Sequence, residues 1–186
     1  LINNTGNDCT PYFMLAQHCG AGASVADFRA WIFYFKYEST TCANPGSEPT
    51  TSNVTGSLKV AASGTTSIVS KSDFVLCILK SRPVSAANAY YSGWDRNNTG
   101  STSGVGIHHP NGDIKKISTY SATLTSSTWD GTPNSHWRVI WVATANGHGV
   151  TEGGSSGSPI FNNSGLIVGQ LSGGSSFCTS PSSPDL

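Results

Sequence analysis

Hydrophobic positions along this chain recur mostly with a period of two, the spacing of a strand that buries one face. The run DFRAWIFYFKYE (Asp27 to Glu38) is dense in aromatic and β-branched residues, and HWRVIWVAT (His136 to Thr144) sets Trp137, Val139 and Trp141 on one face. Both read as half-buried antiparallel strands. Shorter runs of the same style predict strands over Tyr12 to Ala16, Val54 to Ala61, Asp73 to Leu79, Ile114 to Thr123 and Leu166 to Leu171. Clusters of Gly, Asn, Pro and Ser separate them. There is no internal repeat, and ASVADF (Ala23 to Phe28) is the single helix candidate. Many short strands with turn signals between them predict an all-β sandwich or barrel. TCANPGSEPTTSN (Thr41 to Asn53) has the composition of an exposed loop. Ser81 to Gly104, the longest stretch without alternation, reads as a bridge between two β halves.

Composition narrows the partners. The 186 residues are 37% hydrophobic, enough for the core of one large domain or two small ones. Only 11% are charged, with ten basic residues balancing ten acidic ones, against roughly 25% charged in typical soluble domains. Apart from Lys115 and Lys116 the cations are scattered, so no basic stripe offers itself to a nucleic acid. No apolar run reaches the ~18 residues that cross a bilayer, so no membrane is expected, and LINNTGND lacks the regions of a signal peptide. Low charge, abundant Ser, Thr, Asn and Gly, and five cysteines (Cys9, Cys19, Cys42, Cys77, Cys178) predict a secreted protein with disulfides. Five is odd, so either one thiol is free or some partners lie outside this stretch. No CxxC pair or Cys/His cluster has zinc spacing, and neighbouring His108 and His109 on a strand would point to opposite faces; neither metal nor cofactor is expected, and these histidines read as structural. No feature implies association, and a monomer is expected.

The candidate chemistry lies in GVTEGGSSGSPIF (Gly149 to Phe161). A serine hydroxyl is a weak nucleophile at neutral pH and needs a base beside it, itself held in the right tautomer by a third group. His18 follows an apolar strand, and Asp73 stands at the mouth of a buried one. Singly, the His and the Asp read as structural and turn residues, and GGSSGS as a linker. Together they read otherwise, because GSSGSP (Gly154 to Pro159) has the form G-x-S-G-x-P and runs at once into Ile160 and Phe161, where a linker would not end in a core strand.

With AQHCG around His18 and GSSGSP around Ser156, in the order His, Asp, Ser, the chain resembles trypsin-like serine peptidases of the double β-barrel fold. It is most similar to the bacterial lysyl endopeptidase branch, through NNTGND (Asn3 to Asp8), SDF (Ser72 to Phe74), GWDR (Gly93 to Arg96), IHHPNGDIKKIS (Ile107 to Ser118), GVTEGGSSGSPIF and GQLSGG (Gly169 to Gly174). That resemblance implies two six-stranded antiparallel β-barrels, residues 1–95 carrying His18 and Asp73 and residues 96–186 carrying Ser156 and Asp185, with the active site in the cleft between them. It implies His18 as general base, Asp73 as its orienting partner, Ser156 as nucleophile, and backbone N–H groups of Gly154 and Ser156 as the oxyanion hole. Ser155 and Ser158 are then turn residues.

The resemblance also has departures. Ser155 stands where trypsin-like enzymes usually have an Asp that pairs with a new N-terminus, and Val150 stands at trypsin's specificity position. The lysyl branch takes its specificity acid from later in the chain, where Asp185 lies; a buried carboxylate there would suit an ammonium over a guanidinium. Trp129 matches a Trp that lines the family's site, near His18, and Ser172 replaces a frequent His; with Asp185 they make up the expected substrate-binding set. By the same resemblance Cys19, Cys42 and Cys178 pair with a segment upstream of Leu1, and a further strand and helix follow Leu186. Cys9 and Cys77 are extra to the family pattern, and as the two left over they are expected to pair with each other. The expected function is a secreted serine endopeptidase acting on proteins or peptides after lysine. The rivals are a trypsin-like peptidase of other specificity, a catalytically silent binding module on the same fold, and an all-β adhesin or carbohydrate-binding module, which would leave G-x-S-G-x-P unexplained.

Overall fold

The computed structural model describes residues 1–64 and 72–186. In chain order its elements are β1 (Tyr12–Ala16), α1 (Val25–Ala30), β2 (Ile32–Phe35), β3 (Ser52–Thr55), β4 (Ser57–Ala62), β5 (Phe74–Leu79), β6 (Gly104–His108), β7 (Lys116–Tyr120), β8 (Thr125–Trp129), β9 (Thr132–Arg138), β10 (Ala143–Thr144), β11 (Gly147–His148), β12 (Pro159–Asn162) and β13 (Ile167–Gln170), with short 3-10 turns after β1, at Ser85–Ala87 and at Pro110–Gly112. The all-β expectation holds. One sheet has the order β1-β5-β4, a second β13-β12-β6-β7, and β2-β3, β8-β9 and β10-β11 are two-stranded ribbons. Every one of these ladders is antiparallel. Strands up to β5 pair only among themselves, as do those from β6 onward, while the bridging stretch contributes the parallel contacts Ile2 with Ser92 and Trp94 with Ile167.

The cores follow the same division. Phe28, Val75 and Cys77 are buried together with Leu15 and Trp31 against them, and Phe33, Val54 and Leu79 form a neighbouring cluster. Tyr120, Leu124, Val139, Trp141 and Ile160 make the core of the later strands, with Trp137 and Val168 packed on it.

Three predicted strands are broken, each for a local reason. Ser24 caps a helix: its Oγ accepts from the Asp27 N–H at 3.2 Å while the Asp27 carboxylate accepts from the Ser24 N–H at 2.7 Å. Residues 25–30 are thereby helical, and the strand predicted from Asp27 starts only at Ile32. Gly56, at φ +93°, splits the predicted strand Val54 to Ala61 and lets the chain run against α1, where a Cβ would sit 2.9 Å from the Arg29 carbonyl oxygen. The predicted strand from His136 leaves its ladder after Arg138 because Val139 pairs instead with Asp185, N–H to O at 2.9 Å in both directions.

The expected Cys9–Cys77 bond is not formed. Cys77 is wholly buried in β5 with Phe28 and Val75 around it, Cys9 is exposed in the left-handed turn before β1, and no two of the five cysteines are bonded to each other.

Candidate active site

Strand pairing brings the first two site residues together. In the β1–β5 ladder Ala16 faces Phe74, so the residue just before Phe74 meets the turn that follows Ala16. Asp73 takes a left-handed conformation at φ +46°, which Asp tolerates better than most residues. Its backbone oxygen accepts from the Gln17 N–H at 2.8 Å and from the Gln170 side-chain amide. Its carboxylate, with no solvent exposure, then points at the 3-10 turn Gln17–Gly20. There Oδ1 accepts from the His18 backbone N–H at 3.0 Å, and Oδ2 accepts from His18 Nδ1–H at 2.7 Å and from the Ser172 hydroxyl at 2.7 Å. These three donors satisfy the buried carboxylate and fix the imidazole with Nε2 facing away.

The third residue comes from the other half of the chain. The turn Ser155–Ser158 closes through the Ser158 N–H to Ser155 O bond at 3.0 Å, and Gly157 N–H donates to Leu171 O at 2.7 Å. Gly157, at φ +80°, lies so close to the end of β1 that a Cβ would sit 2.5 Å from the Ala16 nitrogen. No larger residue permits that approach. It delivers the Ser156 Oγ to 2.8 Å from His18 Nε2, across 138 positions of sequence. His18 bridges both partners, and its side chain is 27% exposed, open to an incoming molecule. Gly154, at φ +89°, carries the chain around the outside of the turn, with the His109 oxygen 3.2 Å from where a Cβ would be. The N–H of Ser155 is bonded to Glu152 O at 3.0 Å, whereas those of Gly154 and Ser156 make no hydrogen bond among the described residues.

Asp185 is the other buried carboxylate. Its Oδ2 accepts from Trp141 Nε1, Thr151 Oγ1 and Ser176 Oγ, each at 2.6 Å, and Oδ1 accepts from the Ser176 N–H at 3.0 Å. Oδ1 also lies directly beneath Gly174, where a Cβ would overlap it. Trp129 is half-buried and packs on Gly173, 3.1 Å from that residue's Cβ position, with its indole nitrogen buried and without a hydrogen-bond partner among the described residues. Ser172 turns its hydroxyl to Asp73. The residues expected to bind substrate thus lie along the segment that follows β13, with Ser172 at the triad, Trp129 against Gly173 and Asp185 against Gly174.

A cavity of about 510 Å³ lies behind this arrangement, lined by Met14, Phe74, His136, Trp141 and Gln170 among others, and not by His18 or Ser156. His136 is buried there, and burial pushes its pKa below the ordinary value. Among the described residues no group of three or more His, Cys, Asp or Glu is placed to hold a metal ion, and no helix is long and apolar enough to cross a membrane. Sequence reasoning missed the donors around Asp185 and the environment of Ser155. That residue is wholly buried, with its hydroxyl 2.8 Å from Nδ1 of the equally buried His108.

Comparison with known proteins places the chain in a family. The family model described as lysyl endopeptidase, C-terminal domain, matches residues 1–186. A lysyl endopeptidase of Pseudomonas aeruginosa is 32% identical over 190 aligned positions that cover 98% of this chain and 38% of the relative, so the chain spans well under half of that protein's length. The solved structure of a Glu endopeptidase in complex with MPD superposes with a TM-score of 0.52 at 15% identity, covering 95% of this chain and 74% of the other, a likeness of fold alone. The fold is trypsin-like. With its full length matched, this chain belongs to the family of lysyl endopeptidase C-terminal domains.

Proposed function

We propose that this chain is the catalytic unit of a secreted serine endopeptidase that cuts proteins or peptides on the carboxyl side of lysine. The observation that carries the reading is the single imidazole of His18 held between the Asp73 carboxylate at 2.7 Å and the Ser156 hydroxyl at 2.8 Å. As Ser156 Oγ bonds to the substrate carbonyl carbon, His18 Nε2 takes the hydroxyl proton, and Asp73 stabilises the imidazolium and keeps its orientation. The carbonyl oxygen gains negative charge and is met by the free N–H groups of Gly154 and Ser156. Collapse of the intermediate breaks the C–N bond, and the leaving amine takes the proton from Nε2. Water then attacks the acyl-enzyme by the same proton route and releases Ser156. Residues 1–95 and 96–186 are the two domains that supply His18 with Asp73, and Ser156 with Asp185.

For lysine, the supporting feature is the uneven loading of Asp185: three donors crowd Oδ2 and one meets Oδ1, which leaves Oδ1 room to accept from an ammonium. Trp129 and the backbone of residues 172–174 line the approach. One observation favours a second reading, a trypsin-like peptidase of other specificity: Asp185 has no solvent exposure, so an ammonium reaches it only if Gly174 and its neighbours give way. A serine-directed phosphonate applied to the intact protein, with the adduct mapped, tests the catalytic reading. Absence of label on Ser156 defeats it. Matched peptides with Lys, Arg or Leu before the cut bond test specificity, and equal cutting after Lys and Arg defeats the assignment to Asp185.

A further inference from the structure

His108 and Ser155 take no part in the chemistry just described, yet they are among the most deeply buried polar residues of the molecule, 2% and 0% exposed. Their hydrogen bonds have one consistent direction. The Ser118 hydroxyl donates to Val150 O at 3.1 Å, so its oxygen must accept the bond from His108 Nε2 at 3.0 Å, and Nε2 carries the proton. Nδ1 is therefore the acceptor, and it takes the Ser155 hydroxyl proton at 2.8 Å. The Ser155 oxygen in turn accepts from the Glu152 N–H at 3.3 Å. The chain of bonds starts at the backbone of Glu152 and ends at the backbone of Val150, passing through β6 at His108 and β7 at Ser118. Both ends lie in the segment that leads into Ser156.

Other contacts brace the same segment. Asn111 N–H donates to Gly153 O at 2.6 Å, the Asn111 amide donates to the Glu152 carboxylate at 2.7 Å, and Thr151 is tied to Asp185. Gly149 sits where a Cβ would come within 2.5 Å of Ser118 Oγ, so glycine is what lets the segment lie on that hydroxyl. No charged side chain stands at position 155, where a carboxylate would need a cation; a neutral ring fills the requirement instead.

We propose that His108 is a positioning residue for the nucleophile loop: its uncharged imidazole, threaded between Ser155 and Ser118, holds residues 150–156 so that the Gly154 and Ser156 N–H groups converge on the substrate oxygen. The inference rests on the peptidase reading, since it assigns the loop its purpose. Burial, with the neighbouring His109, keeps the ring neutral, while Asp185 acts in the opposite sense. A proton on Nδ1 would leave Ser155 with donors on both sides and its own proton without an acceptor.

The test uses the intact protein and the variants Ser155→Ala, His108→Gln and His108→Asn. The Asn side chain returns an acceptor oxygen to the position of Nδ1, whereas Gln extends toward Ser118. Ser155→Ala and His108→Gln are expected to lower kcat by about 10- to 100-fold, short of the ~10²- to 10³-fold effect of deleting an oxyanion donor. KM should stay within about twofold, and a peptide aldehyde that mimics the tetrahedral state should weaken in step with kcat, because the affected contact exists only in that state. His108→Asn should recover most of the loss. Nitrogen NMR of the unmodified protein should show His108 neutral with its proton on Nε2, which keeps the premise open to refutation even if a variant does not fold. Unchanged kcat in Ser155→Ala and His108→Gln, a loss carried by KM, no recovery with Asn, or a ring protonated on Nδ1 would each overturn the inference. Phosphonate labelling separates the two levels: an unlabelled Ser156 sinks the peptidase reading, whereas a labelled enzyme indifferent to Ser155→Ala sinks this inference alone.

Discussion

The neutral ring at His108 predicts how stability varies with pH. In the unfolded chain this histidine takes up a proton as pH falls below 6.5, its ordinary value; in the folded protein burial lowers that point to about 4. Between the two the unfolded state holds a proton that the native state refuses, so stability falls as the solution is acidified. Above pH 6.5 neither state is charged, and below 4 both are. At about 1.4 kcal/mol per pH unit the interval from 6.5 to about 4 gives a loss of about 3 kcal/mol. The residue is 2% exposed, so solvent screening takes little from that figure. For a chain of this size the loss is on the order of 10 °C in Tm. His136, also lowered by burial, adds a loss of the same sign, while Asp8, Asp27 and Asp113, held low by their hydrogen bonds, lose their contributions only below about 3.8. A comparison with His108→Asn in a Ser156→Ala background removes these shared terms and prevents self-digestion. Urea unfolding followed by tryptophan fluorescence is expected to show the unsubstituted form more stable than the variant at pH 7.5, with the gap shrinking by about 3 kcal/mol by pH 4. A gap that stays constant across the range would mean that His108 is not held neutral, and the reasoning from its hydrogen bonds would fail.

Three further outcomes follow from distances around the triad. Ser172→Ala removes one of three donors to a wholly buried carboxylate; it is expected to cost about 1–2 kcal/mol in urea unfolding and about tenfold in kcat, and wild-type values for both would show that the bond does not orient Asp73. Gly157→Ala forces a Cβ to 2.5 Å from the Ala16 nitrogen at a φ of +80°; the turn must retreat from β1, and the rate of phosphonate labelling at Ser156 should fall at least about 100-fold, by analogy with small displacements of reacting groups. Asp185→Asn keeps the side chain's shape but not its charge; the ratio of kcat/KM for Lys over Leu peptides should collapse toward one, and a preserved ratio would assign lysine recognition to another group.

The triad's residues were legible through the motifs around His18 and Ser156 and the family resemblance they carry, and the meeting of His18 with Asp73 has a physical reason in strand pairing. Once Tyr12 to Ala16 and the run from Asp73 pair antiparallel, a His two residues past one strand and an Asp one residue before the other are brought together. The alternation in those runs gives both strands, and β5 buries alternate residues from Val75 to Leu79. The strands β6 (GVGIH) and β8 (TSSTW) were invisible to the same reasoning, since glycines, serines and threonines supply little alternation and both are held by ladders to partners. The helix candidate Ala23 to Phe28 is met by α1, but the strand predicted from Asp27 overlapped it: the aromatic residues of DFRAWIFYFKYE favour a strand, and two hydrogen bonds between Ser24 and Asp27 decide for the helix through Ala30.

The serines of GSSGSP show where reading by pattern stops. Ser155 and Ser156 carry the same hydroxyl and have the same intrinsic reactivity, yet one is fully buried against His108 and the other stands at His18. What separates them is the turn built by Gly154 and Gly157, both at positive φ, which rotates successive side chains to opposite sides of the loop. The inner hydroxyl then needs an acceptor in the core, and an uncharged imidazole supplies one without importing a charge. A positive φ can be anticipated wherever glycine is found. The identity of the ring on the inner side, 47 positions away in sequence, follows only from the β6–β7 ladder that places His108 and Ser118 beneath the loop. Nucleophile and buried partner are therefore set by one turn, and a change to the inner residue should be felt at the outer one before it is felt anywhere else.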